Sequence, residues 1–338
     1  MLSRPVSIAV DAVGGDFAPK VVLEGVEKAL SSDSNIIVHL VGPADIVNPF
    51  AARFPGRVVA VPASEIIGMG EHPASAVRSK RDSSIVVGSR LVKEGICQGL
   101  FSAGSTGASM AAATLIIGRI RGVSRPALAT VLPGASKPTI LLDIGANADC
   151  KPENLLQFGF MGKAYAQAVF GLKDPKVALL NIGEEDTKGS VLAQEANALM
   201  RTSLPGFVGN AEGQDLLSGE FDVIVTDGFT GNVSLKLLEG STKILLGRVK
   251  NALTSSTGKK ILAAPLAGSI KSLKDDMDPD QFGGAPLLGV KGVCAIGHGP
   301  SSAQAIESGI LVTARAVRND LTDILTKNII NLLNQDVG

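Results

Sequence analysis

Short, continuous apolar runs alternate with helix-period segments along the whole of this chain, and that alternation limits the fold more than any other feature. The runs stand at 6–10, 36–41, 58–61, 99–103, 127–132, 139–143, 177–182, 222–226 and 293–297. Between them, 19–30, 83–95, 106–119, 153–170, 189–201, 231–253 and 301–328 repeat apolar residues at helical spacing. A strand that is apolar at successive positions belongs to a sheet covered on both faces. The alternation therefore predicts an α/β fold with parallel strands and right-handed crossovers. The 338 residues leave room for two units, at about 150 residues each. The Pro/Gly-rich stretch 133–138 is the expected boundary. It gives a first α/β subdomain of 1–132 plus 293–338 and a second of 133–292.

Composition removes several function classes. Lys plus Arg equals Asp plus Glu, 32 against 32, so no bulk field draws nucleic acid or an anionic membrane. With no Trp and one Tyr, base-stacking platforms are not expected. Cys97, Cys150 and Cys294 are far apart and form no CxxC, which argues against a disulfide framework or a zinc site and suits a reducing cytoplasm. Three histidines with no HxH or HxxxH pair predict no metal. No apolar run is long enough to span a bilayer, and the chain reaches a strand pattern by Ser7, so no secretory signal is expected.

In open α/β sheets ligands bind beyond the carboxyl ends of strands. Here six of those ends are clusters of Gly, Asp, Asn, Ser and Thr. They carry Asp11, Gly14, Gly15 and Asp16; Gly104, Ser105, Thr106 and Gly107; Asp143, Gly145 and Asn147. Asn181 to Gly189, then Asp227, Gly228, Thr230, Gly231 and Asn232, then Gly297, His298 and Gly299 complete the set. Gly lets backbone N–H groups approach an anion, and a following helix N-terminus adds partial positive charge. The plain alternative is that such residues turn the chain and cap helices. Six of them on one rim predict a phosphate cradle built from at least two. GxxxxGK[ST] is absent and no GxGxxG follows the first strand, so neither a Walker A site nor a dinucleotide site is expected.

Lys188 lies in an acidic stretch, Glu184 to Asp186, and reads either as a phosphate-binding point charge or as a lysine paired with those neighbours. Asn232 opens a helix and reads either as an oxyanion donor or as a cap. His298 between two glycines reads as a turn histidine or an acid–base group. No GxSxG elbow is present, and Cys97 and Cys294 read as buried structural thiols, which favours direct attack by a bound nucleophile. In 241–274, Ile244, Leu245, Val249, Leu253, Ile261 and Leu262 alternate with lysines. That pattern fits two amphipathic helices that pack on a core or a partner, or touch lipid or an acidic carrier protein.

Taken together the turns resemble the PlsX family of phosphate acyltransferases. The resemblance runs from Asp11-Ala-Val-Gly14-Gly15-Asp16 through Glu71-His-Pro73, Arg78, Lys80 and Ser83. It continues through Ser102-Ala-Gly104-Ser105-Thr106-Gly107, Asp143-Ile-Gly145-Ala-Asn147, Asn181 to Gly189, Asp227 to Val233 and Gly283 to Gly289, in family order. Departures are Val13, Ser105 and Ser190, where the family usually has Met, Asn and Asn.

The resemblance implies a three-layer α/β/α fold, similar to isocitrate dehydrogenases and phosphotransacetylases, with a cleft between two subdomains. It implies transfer of a fatty acyl group from acyl-[acyl carrier protein] to inorganic phosphate, without a cofactor, in a cytoplasmic homodimer associated peripherally with the membrane. It places the catalytic lysine and asparagine at Lys188 and Asn232, among phosphate- or substrate-binding turns. A coenzyme A-dependent phosphotransacetylase, an isocitrate-type dehydrogenase and a non-catalytic carrier-protein or membrane scaffold are the alternatives.

Overall fold

A computed structural model describes residues 4–256 and 282–335, with 258, 265 and 268 between them. Eleven strands form one sheet: β1 (Val6–Asp11), β2 (Ile36–Gly42), β3 (Val58–Pro62), β4 (Gly99–Ser102), β5 (Ala127–Leu132), β6 (Thr139–Leu142), β7 (Val177–Leu180), β8 (Phe207–Ala211), β9 (Val223–Val225), β10 (Ala285–Leu288) and β11 (Val293–Ile296). Their order is β3-β2-β1-β4-β11-β10-β5-β6-β9-β7-β8. Among the described residues the helices are α1 (Lys20–Ser32), α2 (Ala44–Ala52), α3 (Pro73–Ser79), α4 (Ser84–Lys93), α5 (Thr106–Ala112), α6 (Pro152–Phe170), α7 (Val191–Ser203), α8 (Gly228–Thr254), α9 (Ala303–Arg318) and α10 (Leu321–Gln335).

Helices cover both faces, as the continuous apolar strands require. On one face Val22 and Val26 of α1 and Ile306 and Ile310 of α9 bury Ile8 and Val10. Farther along that face Phe158, Met161 and Tyr165 of α6 and Ile329 of α10 meet Leu142 and Val225. On the other face Val92 of α4, Ile117 after α5 and Leu235 of α8 share a core with Leu100, Leu141 and Ile224.

Two strands and two helices lie outside the sequence expectation. The apolar run of β8 is interrupted by Gly209 and Asn210, and β10 contains Pro286, a residue that weakens a strand reading. α2 and α3, of 9 and 7 residues, are too short to establish a helical period. The expected helix 301–328 is two helices, because Asp320 adopts a left-handed φ of 53° between α9 and α10.

Strand direction changes the picture of the rim. β10 is antiparallel to both β11 and β5, and β5 is antiparallel to β6, while the other pairings are parallel. The carboxyl ends of β1, β4 and β11 therefore share one rim, and those of β6, β7 and β9 share the other. The expectation of six turns on a single rim is corrected to two sets of three. An apolar run reads the same in either direction, so its composition could not reveal this.

The α1–α9 pair closes the sheet with a partly buried ion pair. Arg318 engages Asp33, with its Nη2 3.1 Å from Asp33 Oδ1. Burial works against the Asp33 carboxylate, but hydrogen bonds from Arg318 and the Asn35 N–H, with the charges of Arg318 and Arg57, hold its pKa below the ordinary value. A lowered folded-state pKa stabilises above the unfolded value and is lost as pH falls through the folded one. Asp33→Ala is expected to cost about 1.5–3 kcal/mol in urea unfolding at neutral pH. That difference should shrink between about pH 5 and pH 2; a pH-independent difference would refute the ion-pair account.

Candidate active site

On the first rim, Asp11 is a buried staple. Ser102 Oγ donates to its Oδ2 at 2.7 Å, and the Val13 N–H donates to Oδ1 at 3.2 Å. Burial pushes its carboxyl up, against hydrogen bonds from Ser84, Ser102 and the Val13 and Gly14 N–H groups. Ser102 Oγ also accepts from the Gly104 N–H at 3.1 Å. The turn of Gly14 and Gly15 is thereby tied to that of Gly104. The third turn joins through the Asp16 N–H, which donates to Gly299 O at 2.7 Å. Ser105 caps α5, its Oγ accepting from the Ala108 N–H at 3.3 Å, and Gly107 packs against Pro73. Thr106, at the first position of α5, is exposed. His298 is exposed too, with its backbone N–H held by Ser301 Oγ at 3.1 Å.

On the second rim, Asp143 is fully buried at the end of β6. It accepts from the N–H groups of Leu128 (3.0 Å), Gly145 (3.3 Å), Ala146 (3.1 Å) and Asn147 (2.7 Å), and from Asn147 Nδ2 (2.9 Å). Asn147 Nδ2 also donates to Pro126 O at 2.8 Å, and its carbonyl accepts from the Gly228 N–H at 2.8 Å. Asp227 caps α8, accepting from the Thr230 N–H at 2.9 Å and Thr230 Oγ1 at 2.7 Å. Gly231 allows α8 to start against β6, since a Cβ there would lie 1.9 Å from Asp143 O. This close approach brings Asn232 over Gly145, where a Cβ would lie 3.1 Å from Asn232 Nδ2. Asn232 itself is exposed.

Lys188 follows β7, two strands from β6, a lateral step of roughly 10 Å. Its N–H donates to Glu185 O at 3.0 Å, its carbonyl accepts from Asn181 Nδ2 at 3.1 Å, and its stem lies over Gly183. The pairing with acidic neighbours does not occur: Asp186 engages Arg201, and among the described residues Lys188 forms no ion pair. Lys188 and Asn232 thus stand exposed at one rim. Asp11, Ser105, Asn147, Asp227 and Thr230 spend their polar atoms on shaping turns.

Sequence reasoning quoted Asp143 within a turn without assigning it a part. The signal was an aspartate directly after an apolar strand, a position that burial and donors, not composition, define. The thiols stand apart from the chemistry: burial pushes Cys97 and Cys294 up to about 12 and Cys150 to about 11.

The chain matches the fatty acid synthesis protein family over residues 6–323. It is 45% identical over 326 residues to a phosphate acyltransferase of Heliobacterium modesticaldum, covering 95% of this chain and 97% of that protein. A phosphate acyltransferase of Dictyoglomus turgidum is 44% identical over 333 residues, covering 97% and 98%. The chain belongs to the PlsX family of phosphate acyltransferases.

The PlsX fold extends to more distant proteins. A phosphotransacetylase from Streptococcus pyogenes superposes with a TM-score of 0.60 at 17% identity, covering 93% of this chain and 94% of that one. A branched-chain phosphotransacylase from Enterococcus faecalis V583 gives 0.58 at 17%, covering 92% and 99%. They share the α/β architecture with this PlsX-family acyltransferase.

Gly145 tests the asparagine's placement. Its φ of +139° excludes most side chains, and a methyl group would press on the Asn232 amide. If the Asn232 amide serves as an oxyanion donor, Gly145→Ala is expected to slow acyl transfer by up to about 10²–10³-fold, with the acyl donor's KM little changed. Normal turnover in a folded Gly145→Ala protein would separate Asn232 from the chemistry.

Proposed function

We propose that this acyltransferase moves a fatty acyl group from acyl-[acyl carrier protein] to inorganic phosphate, and that the acyl phosphate feeds phospholipid synthesis. The observation that carries the reading is the presence, on one rim, of an exposed lysine that forms no ion pair among the described residues and an asparagine amide held over Gly145.

Phosphate sits against Lys188 and backbone N–H groups of the glycine-rich turns. One phosphate oxygen forms a bond to the thioester carbonyl carbon while the carbonyl oxygen takes negative charge beside the Asn232 amide. The intermediate collapses with cleavage of the C–S bond, and the electron pair leaves with sulfur. The thiolate takes up the proton that hydrogen phosphate gives up. Phosphate is already a nucleophilic anion, so positioning carries the burden and supplies up to roughly 7–11 kcal/mol in well-oriented systems.

A cytoplasmic homodimer with peripheral membrane contact through 241–274 belongs to the same reading. Its support is the outer part of α8, where Leu237, Ile244 and Leu245 are 67%, 61% and 59% exposed. Among the described residues no helix is long and apolar enough to cross a membrane. Most of 257–274, including Ile261, Leu262 and the lysines 259, 260, 271 and 274, lies outside the described residues.

The test is to incubate the protein with acyl carrier protein thioester and phosphate and trap acyl phosphate with hydroxylamine. Asn232→Ala should cut kcat by about 10²–10³-fold, and Lys188→Ala should raise KM for phosphate and lower kcat. Full activity in both variants would remove the assignment. Faster turnover of acyl-coenzyme A than of the carrier thioester would replace the donor.

A further inference from the structure

The loop of Asn147 also borders a cavity that the reaction above leaves without a role. It is an open hollow of about 440 Å³ between the far end of α5 and the start of β5, within the ~300–1,000 Å³ of small-molecule sites. Thr106 begins α5 at the first rim, and Met110, four residues on, already lines the hollow, about 6 Å along the helix. Ala146 and Asn147 line it from the second rim. The hollow therefore opens at the second rim, below the far end of a helix that starts at the first, and it lies beside the loop that seats Asn232.

Its lining is mixed in chemistry. Met110, Leu115 and Leu287 give it apolar lining. Arg119 and Arg125 line it as well, and both residues are exposed. Arg119 donates to Ser124 O, and Arg125 Nη1 donates to Asp149 O at 2.9 Å. Both acceptors are neutral carbonyls, and among the described residues neither arginine forms an ion pair. A guanidinium has five N–H donors suited to a phosphate, so most of each fork is left to a ligand. Two uncompensated cations beside an apolar lining fit an elongated ligand with a phosphate at one end. Inorganic phosphate alone would leave most of the volume and the apolar lining unused.

We propose that this cavity receives the phosphate-bearing pantetheine arm of the acyl donor, with Arg119 and Arg125 on its phosphate and the apolar lining along the arm. The inference rests on the acyl-transfer reading for its donor. The arm then threads past Asn147 and delivers its thioester toward Asn232. Carrier protein and coenzyme A share this arm, so the cavity recognises the chemistry common to both and leaves their discrimination to surfaces outside it.

Calorimetric titration with 4′-phosphopantetheine and with pantetheine tests the subsite without turnover. The wild-type protein should bind the phosphorylated arm about tenfold or more tightly than the other, and R119M/R125M should lose that preference. Equal binding of both arms by the wild type, or an unchanged preference in the variant, overturns the proposal. Leu115→Trp, which narrows the hollow from its exposed edge, provides a second variant and should weaken both arms. In turnover, R119M/R125M should raise KM for the acyl donor about tenfold and leave KM for phosphate within about twofold. A matching rise for phosphate would make the cavity a phosphate site instead. Acyl carrier protein and acyl-coenzyme A, run side by side, show which source supplies the arm. If neither gives acyl phosphate while the variant still loses 4′-phosphopantetheine binding, the reaction falls and the subsite stands.

Discussion

The carboxylate of Asp143 collects N–H groups from the start of β5, from its own loop and from the Asn147 side chain. Burial pushes its pKa up, and the donors that converge on it oppose that shift. A carboxylate taken from water needs such partners, because an unpaired one costs far more than a neutral polar group. Every one of its hydrogen-bonding partners is a donor, which matches the acceptor-only ionised form. The consequence is geometric. The loop 144–147 is wound around one buried carboxylate, the Asn147 carbonyl receives the Gly228 N–H that opens α8, and Asn232 is placed over Gly145 with no side-chain hydrogen bond of its own among the described residues.

The layered architecture was legible because it follows from burial. Strands covered on both faces must be apolar throughout, and nine of the eleven strands announced themselves in that way. β8 sits at the sheet edge, where Asn210 serves a hydrogen bond with Asn197 and so breaks the run. β10 carries Pro286 in the middle of the sheet, a residue whose missing N–H normally argues for an edge. Since β10 and β5 set which carboxyl ends share a rim, the least legible strand decides where the turns lie. The sheet's own twist partly offsets this division. Six steps separate β1 from β9 in the strand order, and at about 20–25° each they accumulate roughly 120–150° of rotation.

The site was legible at the level of residue type and not of role. Asp11, Asp143 and Asp227 each follow an apolar strand and look alike in sequence. The first two are buried among N–H and hydroxyl donors, while the third caps a helix. Lys188 illustrates the reverse case. Its acidic surroundings suggested neutralisation, yet Arg201 engages Asp186, and the turn that ties the Lys188 N–H to the Glu185 main-chain oxygen leaves the lysine without an ion pair among the described residues. What frees the lysine is a competing arginine and a tight turn, neither of which spacing could reveal.

Ser105 shows what the turn before α5 asks of its residue. Serine and asparagine are both strong helix caps, because each offers an oxygen to the third N–H of the helix. Ser105 Oγ makes that bond with Ala108. The turn therefore requires an acceptor at this position and not a particular side chain. With the cap satisfied internally, the first N–H groups of α5 remain the groups that can turn toward an anion, and their partial positive charge lies at the opposite end of the helix from the arginine-lined hollow.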